Sequence, residues 1–239
     1  MTAGRSVIHL AYADLRARLA LITGYLPRLQ SNSPLRRWFF VDVPVGTTSG
    51  LEVVQLHPPA DRLARSDLVE WLASCRATDL ITSATFADAS LVLQPAFFPN
   101  GQVPRFCLAT MASCSARAAV LLGQHGGPVP EDTVATEISA LYAEFFPRRA
   151  DRHLALDLYA TWLEHTASGT VVDRASQSSP TGSPLGKSIG VVARLAQIQA
   201  VRLRGPDYPG GLIQEAALVR SLLRGETDPS TWSATATGT

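Results

Sequence analysis

Apolar residues recur at helical spacing through the C-terminal half of this chain. Val134, Ile138, Leu141 and Phe145 stand at relative offsets of 0, 4, 7 and 11, so they share one face of a helix that Pro147 ends. Apolar patterns and breakers predict four more helices, at residues 113–122, 149–167, 185–204 and 212–224. Because each apolar face has to be buried against another element, this half of the chain is predicted to form a helical layer.

Aromatic and β-branched runs in the N-terminal half predict a small antiparallel sheet. Residues 37–43 and 51–56 have the composition of strands, and the glycine-containing segment between them is short enough for a hairpin. Residues 90–98 and 103–110 also favour β structure, and the asparagine–glycine pair between them is typical of a hairpin turn.

Helices are also expected before and between these strands. Residues 7–29 carry one apolar stripe, which predicts an amphipathic helix with Pro27 near its end. That stripe comprises Ile8, Tyr12, Leu15, Leu19, Ile22 and Leu26. A second helix is expected to begin at Ser66-Asp67 and to carry Leu68, Trp71, Leu72 and Cys75.

Together these patterns predict an α+β fold. Residues 1–225 are expected to form a single domain that has a small antiparallel sheet and a helical C-terminal half. The serine-, glycine- and proline-rich segment 168–184 is expected to be a flexible loop, and residues 226–239 are expected to be a disordered tail.

Charge and cysteine content disfavour several classes of protein. Lys and Arg number 21 and Asp and Glu 20, whereas nucleic-acid-binding domains carry a basic surplus. Cys75, Cys107 and Cys114 have no CxxC spacing, so buried thiols in a reducing compartment are expected rather than disulfides or a zinc site. The polar start of the chain, with His9 and Asp14, is unlike a signal peptide, and no membrane-spanning run is expected, so the predicted location is the cytoplasm.

Residues 182–188 approach the pattern of a phosphate-binding loop but lack its geometry. Such a loop needs four residues between its glycines so that backbone N–H groups can surround the phosphates. Only three residues, one of them Pro184, separate Gly182 from Gly186. The sequence also has no GxSxG or HExxH motif, so neither a nucleotide site nor a metal site is predicted.

The predicted helix 149–167 carries a row of polar and ionisable side chains. Its apolar face is expected to comprise Leu154, Leu158, Tyr159, Trp162 and Leu163. The opposite row comprises His153, Asp157, Thr161, Glu164 and His165. Such a row can supply proton donors and acceptors with mutually adjusted pKa values, or it can be a solvated face stabilised by ion pairs one turn apart.

Three short segments carry a family resemblance. Residues 38–42 read Trp-Phe-Phe-Val-Asp, residues 51–56 read Leu-Glu-Val-Val-Gln-Leu, and residues 114–122 begin Cys-Ser-Ala-Arg-Ala-Ala. The first two resemble the hairpin, W-F-F-I-R-Y and then H-L-R-L-R, of the elimination domain of split lantibiotic dehydratases and of the related thiopeptide pyridine synthases. The third is similar to the helix that this family opens with D-S-R-A-A.

The departures from the family pattern bear on the chemistry. The family's elimination enzymes hold a glutamyl ester with arginines on the hairpin, and Asp42, Val53 and Gln55 stand in those places here. The family's E-x-x-R-Y-G-G signature is also absent between Gln94 and Ser113. Loss of the cations that would bind a carboxylate argues against glutamate elimination and fits the compact, pyritide-type pyridine synthases better.

The resemblance implies a particular reaction and substrate. Such enzymes join two dehydroalanines of a leader-bearing ribosomal precursor peptide in a formal [4+2] cycloaddition, and loss of water and of the leader then produces a pyridine ring. Folding the peptide so that the two alkenes meet supplies proximity, and proton donors and acceptors assist the amide that becomes an iminol. No metal or organic cofactor is needed.

Four residues are candidates for the site. Ser115 matches the serine of the family's helix motif, where it could hydrogen-bond the reacting amide or, equally, cap a helix N-terminus. His153 and Asp157 could act as an acid/base pair, and Tyr142 lies one position beyond the core stripe of its helix, so its hydroxyl is expected to reach a groove.

Two alternative functions remain open at this stage. One is a stand-alone glutamyl-elimination (lyase) domain of a split lantibiotic dehydratase, and the other is a non-catalytic peptide-binding partner in a biosynthetic complex. A concave pocket that contains Ser115, Tyr142 or His153 favours an enzyme, whereas a flat surface favours the binding partner.

Overall fold

The computed structural model describes residues 6–31, 38–45, 48–55, 62–87, 90, 105–167, 184–205 and 212–225. Its strands are β1 (Ser6–Tyr12), β2 (Trp38–Val45), β3 (Thr48–Gln55) and β4 (Ile81–Ala87). Its helices are α1 (Leu15–Ala20), α2 (Leu26–Ser31), α3 (Arg62–Ala77), α4 (Arg105–His125), α5 (Glu131–Phe145), α6 (Arg149–Ala167), α7 (Pro184–Arg204) and α8 (Leu212–Gly225). The predicted α+β class, with a small antiparallel sheet and a helical C-terminal half, is confirmed.

The four strands form one antiparallel sheet in the order β2-β3-β1-β4. The hairpin predicted from residues 37–43 and 51–56 is confirmed as β2 and β3, which pair from Trp38↔Gln55 to Val45↔Thr48. In this order β2 is an edge strand, whereas β3 and β1 are paired on both sides. The backbone groups on the outer edge of β2 therefore need partners outside the sheet.

The helix predicted for residues 7–29 is wrong in its first part. Residues 6–12 form the central strand β1, and its side chains are buried on both faces of the sheet, with Val7 and Ala11 on one face and Ile8 and Leu10 on the other. A strand buried on both faces has no apolar–polar alternation, so its pattern cannot be told from that of a buried helix.

The helical part begins after Asp14, whose side chain accepts a hydrogen bond from the backbone N–H of Ala17 at 2.7 Å. Between α1 and α2 the chain forms a π-helical segment, Leu21–Tyr25, which ends where the backbone N–H of Leu26 bonds to the carbonyl of Leu21.

The strand predicted for residues 103–110 is wrong, because α4 already begins at Arg105 and continues through the predicted helix 113–122. A buried stripe runs along this helix, comprising Cys107, Met111, Cys114, Ala118 and Leu122. This helical spacing outweighs the strand-like composition of the segment. Strand β4, which was not predicted, precedes it in the chain, and most of its side chains are partly or fully exposed.

Helix α4 contains one stretch that differs from the expectation that the chain has no membrane-spanning run. Its stretch Phe106–His125 is long and apolar enough to cross a membrane by length and composition. Within the protein, 44% of that stretch is buried, and α4 packs against β2, whereas Phe106 and Val120 on the same stretch are exposed. The cytoplasmic location stays a prediction.

The remaining helices follow the sequence closely, and α3, α5, α6, α7 and α8 each cover the predicted segment within a few residues. All three cysteines are buried, as expected. The described residues divide into two compact units, one within Met1–Val129 and Ile198–Pro206 and the other within Pro130–Gln197 and Asp207–Thr239. The predicted loop 168–184, apart from the start of α7, the tail 226–239 and most of the segment 90–98 lie outside the described residues, and the single-domain extent 1–225 stays a prediction.

Candidate functional site

A cavity of about 340 Å³ lies in the first unit, between the π-helical segment, the β2–β3 hairpin and α4. This volume is at the lower end of the range for small-molecule sites. Its described lining is almost entirely apolar and contains no charged residue. The lining comprises Ile22, Thr23, Leu26, Pro27, Trp38, Phe39, Phe40, Val53, Ser115, Ala116, Ala119 and Val120.

One wall of the cavity is the π-helical segment. Ile22 and Thr23, which face the cavity, both belong to the segment Leu21–Tyr25. The Thr23 hydroxyl donates to the carbonyl of Leu19 at 2.8 Å, and the Trp71 indole N–H donates to the carbonyl of Tyr25 at 3.1 Å. Single π-helical turns are rare in proteins and occur frequently at functional sites.

The opposite wall is the edge strand β2, and two side chains satisfy its outer backbone groups at Phe40. The Phe40 N–H donates to Ser115 Oγ at 3.2 Å, and the Phe40 carbonyl accepts from Arg202 Nε at 2.6 Å. Both bonds are buried, so they replace the strand neighbour that an edge strand lacks. Helices α4 and α7 are thereby fixed to the same residue of β2.

Arg18 and Asp42 form a buried ion pair beside this contact. Arg18 Nε and Nη2 bond to the two Asp42 oxygens at 2.6 and 2.7 Å, and the side chains are 6% and 1% exposed. Desolvation raises the pKa of Asp42, and the hydrogen bonds from Arg18 oppose that shift. The two short, parallel contacts are those of a charged pair. Arg18 also donates to the carbonyl of Arg202 at 2.9 Å.

Arg202 completes the network from α7. Burial lowers the pKa of Arg202 to about 10, so the guanidinium is still protonated at neutral pH. It lies over the Phe40 ring at 5.5 Å and donates to Gln199 Oε1 at 3.3 Å, while Gln199 Nε2 donates to the carbonyl of Cys114 at 3.3 Å. These contacts connect β2, α4 and α7, and the contacts of Arg18 extend the network to α1.

Ser115 is the one candidate residue that lines the cavity. It lies in the interior of α4, is 3% exposed and accepts the Phe40 N–H, so the alternative role as a helix N-terminal cap is wrong. A serine hydroxyl that accepts one hydrogen bond still has its own proton to donate. The concave site expected for an enzyme is present around this residue.

Another polar pair is buried between the central strands. Glu52 on β3 is fully buried, and it bonds to Ser90 and, at 3.1 Å, to His9 Nε2. His9 and Glu52 are direct cross-strand partners in the register of β1 and β3. The alternation of the strand places them on the face opposite Phe40 and Val53, away from the cavity wall.

In the second unit, Tyr142 is fully buried within an aromatic cluster. Its ring centroid lies 6.0 Å from that of Phe146 and 5.8 Å from that of Tyr159, and Tyr159 stacks on Trp162 at 6.0 Å. The expectation that its hydroxyl reaches a groove came from its place beside the core stripe, but the whole side chain lies in the core of this unit.

The polar row of α6 pairs with α8. Arg220 bonds to the carboxylate of Asp157, to Thr161 Oγ1 at 2.9 Å and to Glu164 Oε1 at 3.2 Å. The Asp157 and Glu164 side chains are each 47% exposed, and these hydrogen bonds raise the pKa of Arg220, that to Glu164 most strongly. His153 is half-buried one turn before Asp157.

The apolar face predicted for α6 is partly wrong. Leu154 and Leu158 are 49% and 44% exposed, whereas Ala155, Leu156 and Ala160 are buried together with Tyr159 and Leu163. The true core face is centred nearer Leu156 than predicted, because it includes two small alanines that the sequence analysis did not count as core.

Sequence reasoning missed most of the residues that shape the cavity. Trp38 was noted only as part of a motif, although its buried indole lines the cavity. Arg18 stands between Leu15 and Ile22 on the apolar stripe, and Arg202 stands seven positions after the buried Leu195. A charged residue on an apolar stripe was the available signal, since charges are rarely buried unless they are paired.

No family model matches the sequence, and no curated protein matches it significantly. Among solved structures, the chain is similar to a pyridine synthase, TbtD, from thiomuracin biosynthesis. The match has 12% sequence identity, covers 92% of this chain and 99% of that one, and has a TM-score of 0.42. A TM-score this low does not establish a shared fold.

Proposed function

We propose that this chain is an enzyme that acts on a modified ribosomal peptide and joins two of its dehydroalanines into a pyridine ring. The observation that carries the proposal is the apolar cavity lined by Ser115, the candidate residue on α4. A flat surface would have suited the non-catalytic partner, whereas a concave site suits a reaction that requires two alkenes to be held together.

The chemistry of the lining supports this reaction over glutamate elimination. A glutamyl ester carries a carboxylate that needs cationic partners, but none of the described lining residues is charged, and Val53 stands where the resembled hairpin has an arginine. The alkene side chain of a dehydroalanine is neutral and apolar, so it loses little hydration on entering such a cavity, whereas the backbone amides beside it need hydrogen-bond partners there.

In the proposed mechanism Ser115 acts on the amide that enters the ring. With the Phe40 N–H bound to its oxygen, the hydroxyl donates a hydrogen bond to the amide oxygen while the amide proton moves from nitrogen to that oxygen, which gives the iminol form whose C=N bond completes the azadiene. The second dehydroalanine adds across this azadiene, and loss of water and then of the leader amide makes the ring aromatic. This step assigns no role to Asp157, whose carboxylate binds Arg220.

The roles predicted for Tyr142, His153 and Asp157 stay predictions. The three residues belong to the second unit, and the cavity belongs to the first. The proposed substrate is a dehydroalanine-containing precursor peptide with its leader, and neither nucleic acid nor a membrane has a part in the reaction.

Mass spectrometry of the full chain incubated with a leader–core peptide containing two dehydroalanines tests the proposal. We expect loss of water together with release of an intact leader carboxamide. Ser115→Ala should lower the rate by about 100-fold, the usual effect of removing one transition-state hydrogen bond. Ser113→Ala is the matched control, because Ser113 is exposed on the same helix and is not among the cavity residues.

Measuring peptide binding alongside the change in mass separates the cyclase from the non-catalytic partner and from the elimination enzyme. A peptide that binds but does not change in mass would contradict the enzyme proposal and favour the non-catalytic partner. Conversion of a glutamylated serine peptide to dehydroalanine, without ring formation, would instead identify the elimination enzyme. Ser115→Ala has to remain folded at the assay temperature, which thermal unfolding of both variants establishes.

A further inference from the structure

The side chain of Trp38 contains a buried donor with no partner among the described residues. Trp38 is 3% exposed, and its Nε1 atom is buried without a hydrogen bond in the described chain. The indole also lines the cavity. Buried donors are nearly always bonded, because leaving one unbonded costs about 1–3 kcal/mol.

Trp71 shows that the same unit satisfies a comparable indole elsewhere. Trp71 is 8% exposed, and its Nε1 donates to the carbonyl of Tyr25 at 3.1 Å. The two tryptophans therefore differ in bonding and not in burial. An orphaned indole N–H at the wall of a concave apolar site is the arrangement expected of a group that a ligand completes.

Ser115 provides a second donor on the same wall. Its oxygen accepts from Phe40, and Phe40 follows Trp38 by two positions on the same face of β2. A ligand with neutral carbonyl acceptors suits two neutral donors on this wall.

We propose that the Trp38 indole donates to an amide carbonyl of a neutral peptide segment that occupies the cavity, and that Trp38 is a binding residue for the substrate. The inference deepens the proposed function, on which it rests for the peptide nature of the ligand. We expect the cavity to prefer an uncharged segment, because its two donors are neutral and the described lining residues carry no charge. A peptide carboxylate there would lose hydration without gaining a cation.

The test uses the indole N–H resonances of the ¹⁵N-labelled full chain, which contains four tryptophans. The probe is a capped, neutral peptide in which alanine replaces both dehydroalanines, so that it cannot react. We expect a saturable downfield shift of the Trp38 indole proton, assigned from its absence in Trp38→Phe. The Trp71 resonance is the internal control and should not move, because its N–H already has an acceptor.

Two further measurements complete the test. Trp38→Phe should bind the probe about tenfold more weakly, the equivalent of one net hydrogen bond. The same peptide with a central glutamate should also bind at least tenfold more weakly than the neutral probe. If the Trp38 resonance does not move at saturating probe, or if it moves no more than that of Trp71, the assignment is overturned.

These outcomes are independent of the proposed reaction. A shifted Trp38 resonance without conversion of a dehydroalanine peptide would support the binding role and contradict the cyclase. Full conversion by Trp38→Phe at the wild-type rate and affinity would support the cyclase and contradict the binding role.

Discussion

The two Arg–carboxylate networks of this protein use the same chemical groups in opposite surroundings. In the first unit, Arg18 and Asp42 are buried beside β2 and are bonded through two short contacts. In the second unit, Arg220 binds Asp157 and Glu164 where each carboxylate is 47% exposed. Exposed ion pairs contribute little to stability because water and salt compete for the charges, whereas loss of one partner from a buried pair leaves an unsatisfied charge.

The two networks also differ in their relation to the cavity. The buried network fixes α4 and α7 to Phe40, and thereby positions the Ser115 hydroxyl on the cavity wall. The exposed network joins α6 to α8 and leaves the polar row of α6 with the contacts of a stabilised helix surface. We therefore regard the first network as the support of the site and the second as a local contact between helices.

The largest expected effect is that of Asp42→Asn. The buried Arg18 guanidinium then loses its counter-charge, and the free energy of unfolding should fall by about 3–5 kcal/mol. Urea denaturation at neutral pH measures the change. The double variant Arg18→Met with Asp42→Leu should recover most of the loss, because it removes both charges together. A decrease below 1 kcal/mol for Asp42→Asn would mean that the pair is hydrated.

A smaller effect is expected from the buried thiols of the first unit. Burial raises the pKa of Cys75 to about 11 and that of Cys107 to about 12, so the folded thiols stay protonated where unfolded thiols ionise. The unfolded chain therefore releases protons above pH 9, and the free energy of unfolding should fall by about 2 kcal/mol per thiol by pH 10.5. Cys75→Ala and Cys107→Ala should each flatten the pH dependence measured by urea denaturation; an unchanged slope would contradict thiol burial.

The next smaller effect is expected of Ser115→Ala, which should lower the free energy of unfolding by about 1–2 kcal/mol. The Phe40 N–H loses its acceptor on the outer edge of β2, and no described strand lies beside it to replace the bond. Ser113→Ala, at an exposed position of the same helix, should change the midpoint of urea denaturation little. Equal effects of the two variants would mean that the Ser115–Phe40 bond does not form in solution.

The smallest effect is expected of Arg220→Gln in the second unit. Its contacts are partly exposed, so the free energy of unfolding should fall by only about 0.2–1 kcal/mol, and less at 1 M salt. Denaturation at low and high ionic strength measures both quantities. A salt-independent loss comparable to that of Asp42→Asn would remove the distinction between the two networks.

The sequence predicted the helical half and the hairpin well because their signals are local. The stripe from Val134 to Phe145 and the stop at Pro147 define α5 without any knowledge of its neighbours. Strand β1 and the start of α4 were wrong for a non-local reason. Whether residues 6–12 form a strand depends on β3 and β4 pairing on either side, which periodicity alone does not reveal.

The candidate site was predictable only in part. Ser115 followed from a short motif, and its place on the cavity wall supports that choice. The contacts of Arg202 with Phe40 span 162 positions, and the orphaned donor of Trp38 becomes evident only once the cavity is known. Polar residues at core positions, such as Arg18, Gln199 and Arg202, were the one sequence signal for this network.

Under the proposed function, the cavity of the first unit holds the reacting peptide, and the polar row of α6 does not. The most direct measurement is the rate of leader release by Ala119→Phe, which adds a ring to the cavity wall, against that by Asp157→Asn. We predict that Ala119→Phe abolishes release while remaining folded, and that Asp157→Asn keeps the wild-type rate, since Asp157 is not among the cavity residues. Normal release by Ala119→Phe, together with its loss in Asp157→Asn, would contradict the account and locate the chemistry on α6.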